Sequence, residues 1–279
     1  MTTTGLLKVP GAALHHEHRG SGPVLLLIPG GAGDAGLYAG LAERLAAHWT
    51  VVGYDPRGLS RSPLDGPLTD QRVEVWSDDA RRLLDLYSPD APAAVFGSSS
   101  GAIVALDLLA RHPERVWRVV AHEPPLLELL ADPTPYRTLF AETGRLSRTA
   151  GPTAAMAHLG AGLGGEQPDD ARQDDRPATE LPPEIQEMAP RMAANMPVFL
   201  ERMLHQFATA ELELAALHPV ADRLALAAGR DSRQLPVFHG PAARLAELLG
   251  AELVEFPGGH LGSVEHPAEF AEVLHRTLR

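Results

Sequence analysis

Between Val24 and Ala121, short apolar runs alternate with stretches of helical periodicity. Few architectures accommodate that rhythm. Val24-Leu25-Leu26-Leu27-Ile28 is apolar without interruption, the pattern of a strand buried on both faces. Thr50–Tyr54, Ala93–Phe96 and Arg115–Ala121 read as further strands. Helical segments separate them, around Leu37–Ala47, over Val73–Tyr87 and from Ser100 to His112. Strand and helix in turn predict an α/β fold with a doubly wound, mostly parallel sheet, whose ligands bind at the carboxyl ends of the strands. Ahead of this region, Leu6–Arg19 reads as two short strands turning at Pro10-Gly11.

The rhythm breaks after His122-Glu123-Pro124-Pro125. From Leu126 to Leu217 the pattern is helical, and the acidic, Pro-rich stretch Glu166–Glu180 is expected to be a mobile loop. Along Ile185–Phe207 a stripe of Ile185, Met188, Met192, Met196, Phe199, Met203 and Phe207 shares one side, and Pro190 and Pro197 are expected to kink or divide that helix. Such a stripe serves either as core or as the lining of an adaptable apolar pocket, since methionine repacks readily. The strand–helix rhythm resumes with Arg223–Ala228, Pro241–Leu249, Ala251–Phe256 and Pro267–Leu278. The expected organisation is therefore a core in two parts, 1–125 and 218–279, interrupted by a helical cap over 126–217.

Two strand ends carry glycine-rich turns. Pro29-Gly30-Gly31-Ala32-Gly33-Asp34 follows the first buried strand and exposes backbone N–H groups suited to an anion. It lacks the Gly-Lys-Ser/Thr of a phosphate loop and the G-x-G-x-x-G spacing, which leaves a plain turn into the next helix or an oxyanion site, the latter gaining strength only from the nucleophile candidate downstream; Asp34 is expected to cap the next helix. Gly97-Ser98-Ser99-Ser100-Gly101 joins a strand to a helix with G-x-S-x-G spacing, centred on Ser99. In that turn the serine is held strained with its hydroxyl outward, and the helix N-terminus points N–H groups at it.

Two later strand ends supply Asp231, in Gly229-Arg230-Asp231, and His260, in Gly258-Gly259-His260. A serine hydroxyl is a poor nucleophile near neutral pH. A histidine beside it takes its proton, and a carboxylate fixes the imidazole tautomer. Ser99, Asp231 and His260 supply these three groups, and the backbone N–H groups of Gly31 and Ser100 are the expected oxyanion donors. Glu123 also follows a strand and is the alternative carboxylate.

These pieces, with Tyr54-Asp55-Pro56-Arg57-Gly58-Leu59-Ser60-Arg61-Ser62, resemble the α/β-hydrolase superfamily over nearly the whole chain, in its capped, serine-nucleophile branch. The resemblance implies Ser99 as nucleophile, Asp231 as acid and His260 as general base. It departs from many relatives at Pro29, which stands where they carry a histidine. An elbow serine excludes the epoxide-hydrolase and haloalkane-dehalogenase chemistries, which use aspartate there.

The expected function is a serine hydrolase acting on an ester, lactone or related acyl bond of a small apolar substrate. The alternative is a non-hydrolytic member, either a ligand-binding protein or a lyase or cyclase using His260 as base. No cofactor or metal is called for. His16 and His18 share a strand face but lack a carboxylate cluster or further ligand, so they read as edge-strand histidines. The formal net charge of −12 disfavours nucleic acid and anionic membrane as partners, leaving a small-molecule substrate and room for a homodimer. There is no cysteine, hence no disulfide or thiol chemistry, and no signal-peptide pattern at the start of the sequence; a cytoplasmic location is expected. Lys8 is the only lysine, a usage of the kind a GC-rich bacterial genome produces.

Overall fold

The computed structural model describes residues 2–164 and 183–279. Eight strands form one sheet: β1 (Thr3–Val9), β2 (Ala12–Arg19), β3 (Val24–Ile28), β4 (Thr50–Tyr54), β5 (Ala93–Ser98), β6 (Val116–His122), β7 (Leu224–Gly229) and β8 (Glu252–Phe256), in spatial order β1-β2-β4-β3-β5-β6-β7-β8. β1 pairs antiparallel with β2, and β2 with β4; every other pairing is parallel. The hairpin between β1 and β2 turns at Gly11, whose φ of +80° suits a residue without a Cβ. The sequence pattern and the observed sheet agree.

Alternation along β3 explains why it is wholly apolar. Val24, Leu26 and Ile28 pack into one cluster with Trp76 and Leu83 of helix α2 and Ile103 and Leu106 of helix α3; Leu25 and Leu27 face the other way, onto Leu41, Phe270 and Leu274. The helices concerned are α1 (Ala39–Leu45), α2 (Val73–Tyr87) and α3 (Ser100–Arg111), with others named below. Burial on both faces leaves no position along β3 for a polar side chain.

Every regular element described between β6 and β7 is helical, among them α4 (Thr134–Ala150), α5 (Pro152–Gly162), α6 (Pro183–Val198), α7 (Leu204–Ala208) and α8 (Leu214–Leu217). The stretch Glu166–Glu180, expected as a mobile loop, lies outside the described residues. α6 is neither ended nor divided by Pro190 or Pro197. It runs through both and widens into a π-helical turn over Phe199–Met203, immediately after Pro197. A proline ring obstructs the carbonyl four residues back, and a wider turn is one way a helix absorbs that obstruction. The insert has its own core, around Leu139, Phe140, Leu159, Leu200 and Leu204. It is tied to the sheet domain where Phe207 meets Trp76 edge-on, centroids 5.2 Å apart with both rings buried.

After the insert come α9 (Pro236–Leu249), α10 (Gly262–Glu265) and α11 (Pro267–Thr277). Among the described residues no helix is long and apolar enough to cross a membrane. His16 and His18 both turn Nδ1 toward the Tyr87 hydroxyl, at 2.5 and 3.2 Å.

Candidate active site

Ser99 sits between β5 and α3 with φ +56° and ψ −126°, a conformation L residues adopt only at a cost of roughly 1–3 kcal/mol. The turn is that tight because its two glycines admit it. A Cβ on Gly97 would lie 2.2 Å from Gly101 O, and one on Gly101 would lie 2.2 Å from Ile28 O. Only glycines let strand, elbow and helix close to this distance. Ser99 N–H donates to His122 O (2.9 Å), which extends the β5–β6 pairing into the elbow itself.

Glu123 is the first residue after β6. It is fully buried and has φ +48°. Its Oε1 accepts Gly229 N–H at 2.7 Å, and its Oε2 lies 2.7 Å from His260 Nδ1. A carboxylate only accepts, so Nδ1 carries the proton and the Nε2 lone pair is left free. Burial, the largest influence, pushes the Glu123 carboxyl up, but the hydrogen bond from His260, the charges of His122 and His260 and a hydrogen bond from Ser232 together outweigh it, and the group is held below the usual carboxylate range.

This corrects the sequence expectation that Asp231 faces His260. Asp231 occupies the short 3-10 turn after β7, with its side chain 64% exposed and its carboxylate 3.7 Å from Arg230 Nε. Its backbone N–H donates to Gly258 O (3.0 Å). The loop carrying His260 crosses over the end of β7: a Cβ on Gly229 would meet Gly258 O at 2.6 Å and Gly259 Cα at 2.8 Å. Gly229 lets that loop pass, and the crossing brings His260 to the residue after β6 rather than to the turn after β7.

Phe238 of α9 stacks on the His260 ring, centroids 3.9 Å apart and planes 24° apart. The His122 ring lies 6.5 Å from the His260 ring, centroid to centroid. His122 is buried among Phe96, Phe256 and Phe270, shares a hydrogen bond with Ser98 Oγ (3.0 Å), and is pulled down to about 4 by burial, so it stays neutral at pH 7. No hydrogen bond joins Ser99 Oγ to His260 Nε2 in this structure. Catalytic hydrogen bonds commonly tighten only once substrate is bound.

The glycine loop is placed differently from expectation in one respect. Gly31 N–H, expected to face an oxyanion, donates to Ser100 Oγ at 2.9 Å. Gly31 has φ +58°, and the Phe199 ring lies just over it, its Cζ 3.9 Å from where a Cβ would stand. Asp34 does cap, accepting Gly36 N–H at 2.8 Å, and also accepts from Ser60 Oγ (2.9 Å) and from Arg191 of the insert. Asn195 of the insert is buried. Its Oδ1 accepts Ser60 N–H (2.8 Å), and its Nδ2 donates to Ala32 O and Ser60 Oγ (2.9 Å each). Ser60 has φ +47° in the loop after β4, where buried Asp55 accepts Ala35 N–H (3.1 Å) and holds the Arg61 guanidinium by two bonds (2.7 and 2.8 Å). Arg191, Asn195 and Phe238 carry no local sequence signal; only packing reveals them. Glu123 did carry one, as a carboxylate directly after a strand.

Taken as a whole, the chain is similar to known proteins in the same terms. Residues 23–161 match the family model described as the alpha/beta hydrolase fold. The uncharacterized hydrolase YraK of Bacillus subtilis (strain 168) is 38% identical over 98% of this chain and 95% of its own. A carboxylesterase structure from the thaumarchaeon Nitrososphaera gargenis superposes with a TM-score of 0.74 at 20% identity, covering 98% of this chain and 97% of that one. The enol-lactonase from Burkholderia xenovorans LB400 does so with a TM-score of 0.66 at 21% identity, covering 98% and 99%. At these identities the two structures speak for the fold alone.

Proposed function

The chain belongs to the α/β-hydrolase family, and from that premise we propose that it is a serine hydrolase of carboxylic esters or lactones, with Ser99 as nucleophile, His260 as general base and Glu123 as the acid. The observation that carries this reading is the 2.7 Å hydrogen bond from His260 Nδ1 to buried Glu123, beside a serine strained at the end of the neighbouring strand. That bond leaves Nε2 as a proton acceptor.

In the first half-reaction Ser99 Oγ bonds to the substrate carbonyl carbon. Its proton passes to His260 Nε2, and the carbonyl π pair moves onto oxygen. Collapse of the tetrahedral species expels the alcohol, which takes the proton from His260. Water then repeats the sequence on the acyl-serine, releasing the acid and regenerating Ser99. Glu123 stabilises the imidazolium formed in each half and stays ionised throughout, consistent with its lowered pKa.

A small, largely apolar acyl compound is the substrate class this reading favours. The helical insert acts as a cap: Arg191 and Asn195 tie it to the glycine loop, and Phe199 covers Gly31.

The test is fluorophosphonate labelling with intact-mass analysis, followed by turnover of short-chain p-nitrophenyl esters and of a simple lactone. One adduct, lost in Ser99→Ala together with turnover, is expected. Full activity in Ser99→Ala refutes the mechanism. Labelling without turnover of any ester or lactone favours the non-hydrolytic reading.

A further inference from the structure

We infer that the hydroxyl of Ser100, the residue after the nucleophile, is a side-chain donor to the oxyanion and stands between it and Gly31. The inference rests on the serine-hydrolase reading above.

Ser100 is the first residue of α3 and is 5% exposed. Its Oγ accepts the single N–H of Gly31 at 2.9 Å. Its own proton has no acceptor among the described residues. The neighbouring Ser98 differs, since its hydroxyl is engaged with His122 Nδ1 at 3.0 Å. A buried hydroxyl proton without an acceptor is costly, and proteins seldom keep one without use. The acceptor that arrives in this reaction is the substrate carbonyl oxygen, placed next to Ser99 and therefore next to Ser100.

With Gly31 N–H taken up by Ser100 Oγ, the oxyanion has two donors on residue 100, the helix-terminal N–H and the hydroxyl. The N–H bond from Gly31 polarises that hydroxyl, and a hydrogen bond into a polarised donor strengthens the one it gives. Gly31 thus contributes through Ser100 rather than directly. The contact matters most in the transition state, when negative charge gathers on oxygen, so its loss falls on kcat.

The experiment compares wild type, Ser100→Ala and Ser100→Cys on a p-nitrophenyl ester. It also measures inhibition by a trifluoromethyl ketone, whose adduct with Ser99 carries a tetrahedral oxyanion. Cysteine keeps the shape with a much weaker donor. Both variants are expected to lose about 10- to 100-fold in kcat with KM little changed, and to bind the ketone more weakly by a similar factor. Thermal melting near that of wild type shows that the elbow is intact. A variant that melts far below wild type is set aside in favour of the other. Rates equal to or above wild type in the folded variants overturn the inference: the hydroxyl would then merely occupy Gly31 and give way to substrate. A fall in kcat without weaker ketone binding also overturns it. Failure of wild type to take up fluorophosphonate or to turn over ester refutes the serine-hydrolase reading, and this inference falls with it. Normal labelling with an indifferent Ser100 refutes this inference alone.

Discussion

Replacing Glu123 by Gln separates the two carboxylates that could serve His260. Glu123 accepts two hydrogen bonds, Gly229 N–H at Oε1 and His260 Nδ1–H at Oε2, both 2.7 Å long. Glutamine has one oxygen and one NH2. If the oxygen keeps the backbone bond, the NH2 faces His260, whose Nδ1 must then accept; the ring proton moves to Nε2, and the base can no longer take a proton from Ser99. The reversed amide sets NH2 against Gly229 N–H, a buried donor–donor contact costing about 1–3 kcal/mol, so the first orientation prevails. A wrong tautomer in a triad of this kind lowers kcat by about 10⁴-fold, equivalent to about 5.5 kcal/mol in the barrier. Asp231→Asn, at a side chain 64% exposed and, among the described residues, paired only with Arg230, is expected to change kcat by less than about threefold. Steady-state turnover of a p-nitrophenyl ester by both variants decides the matter. If Glu123→Gln retains a tenth or more of the wild-type rate, or Asp231→Asn is the more damaged enzyme, the assignment is wrong.

Two further predictions concern stability. Asn195→Ala leaves Ser60 N–H and Ala32 O without their buried partner; it is expected to lower stability by about 2–3 kcal/mol in denaturant unfolding, and to lower kcat because Ala32 adjoins Gly31. Unchanged unfolding and turnover would mean that the insert does not brace the glycine loop. His122 has a folded pKa of about 4 against 6.5 when unfolded, so between those values the unfolded chain binds the extra proton and stability falls as pH drops. From pH 7 to 5 this single group is expected to remove about 2 kcal/mol, and His122→Gln should show a shallower decline by that amount. An identical decline in that variant would refute the buried, neutral assignment.

The features legible in the order of residues are those that obey local rules. A short uninterrupted apolar run closed by a glycine-rich turn fits a strand covered on both sides, which placed β3. Periodicity placed α2 over Val73–Tyr87, as observed. Ser99 was legible because its turn demands glycine at Gly97 and Gly101, where added Cβ atoms would fall 2.2 Å from backbone oxygens. His260 was legible as the histidine in a glycine loop after the last strand. The choice between Asp231 and Glu123 was not, because both follow strands and both carry carboxylates. It depends on how the His260 loop crosses Gly229, a contact between segments about thirty residues apart that no local pattern records. The same holds for the partner of Gly31 N–H, which is a hydroxyl 69 residues further along, and for Arg191, which reaches Asp34 across 157 residues. Backbone sterics act between neighbours and leave their mark in residue types. The direction of a side-chain hydrogen bond is set by whichever distant segment packing brings within about 3 Å, and that was decided only by the tertiary structure.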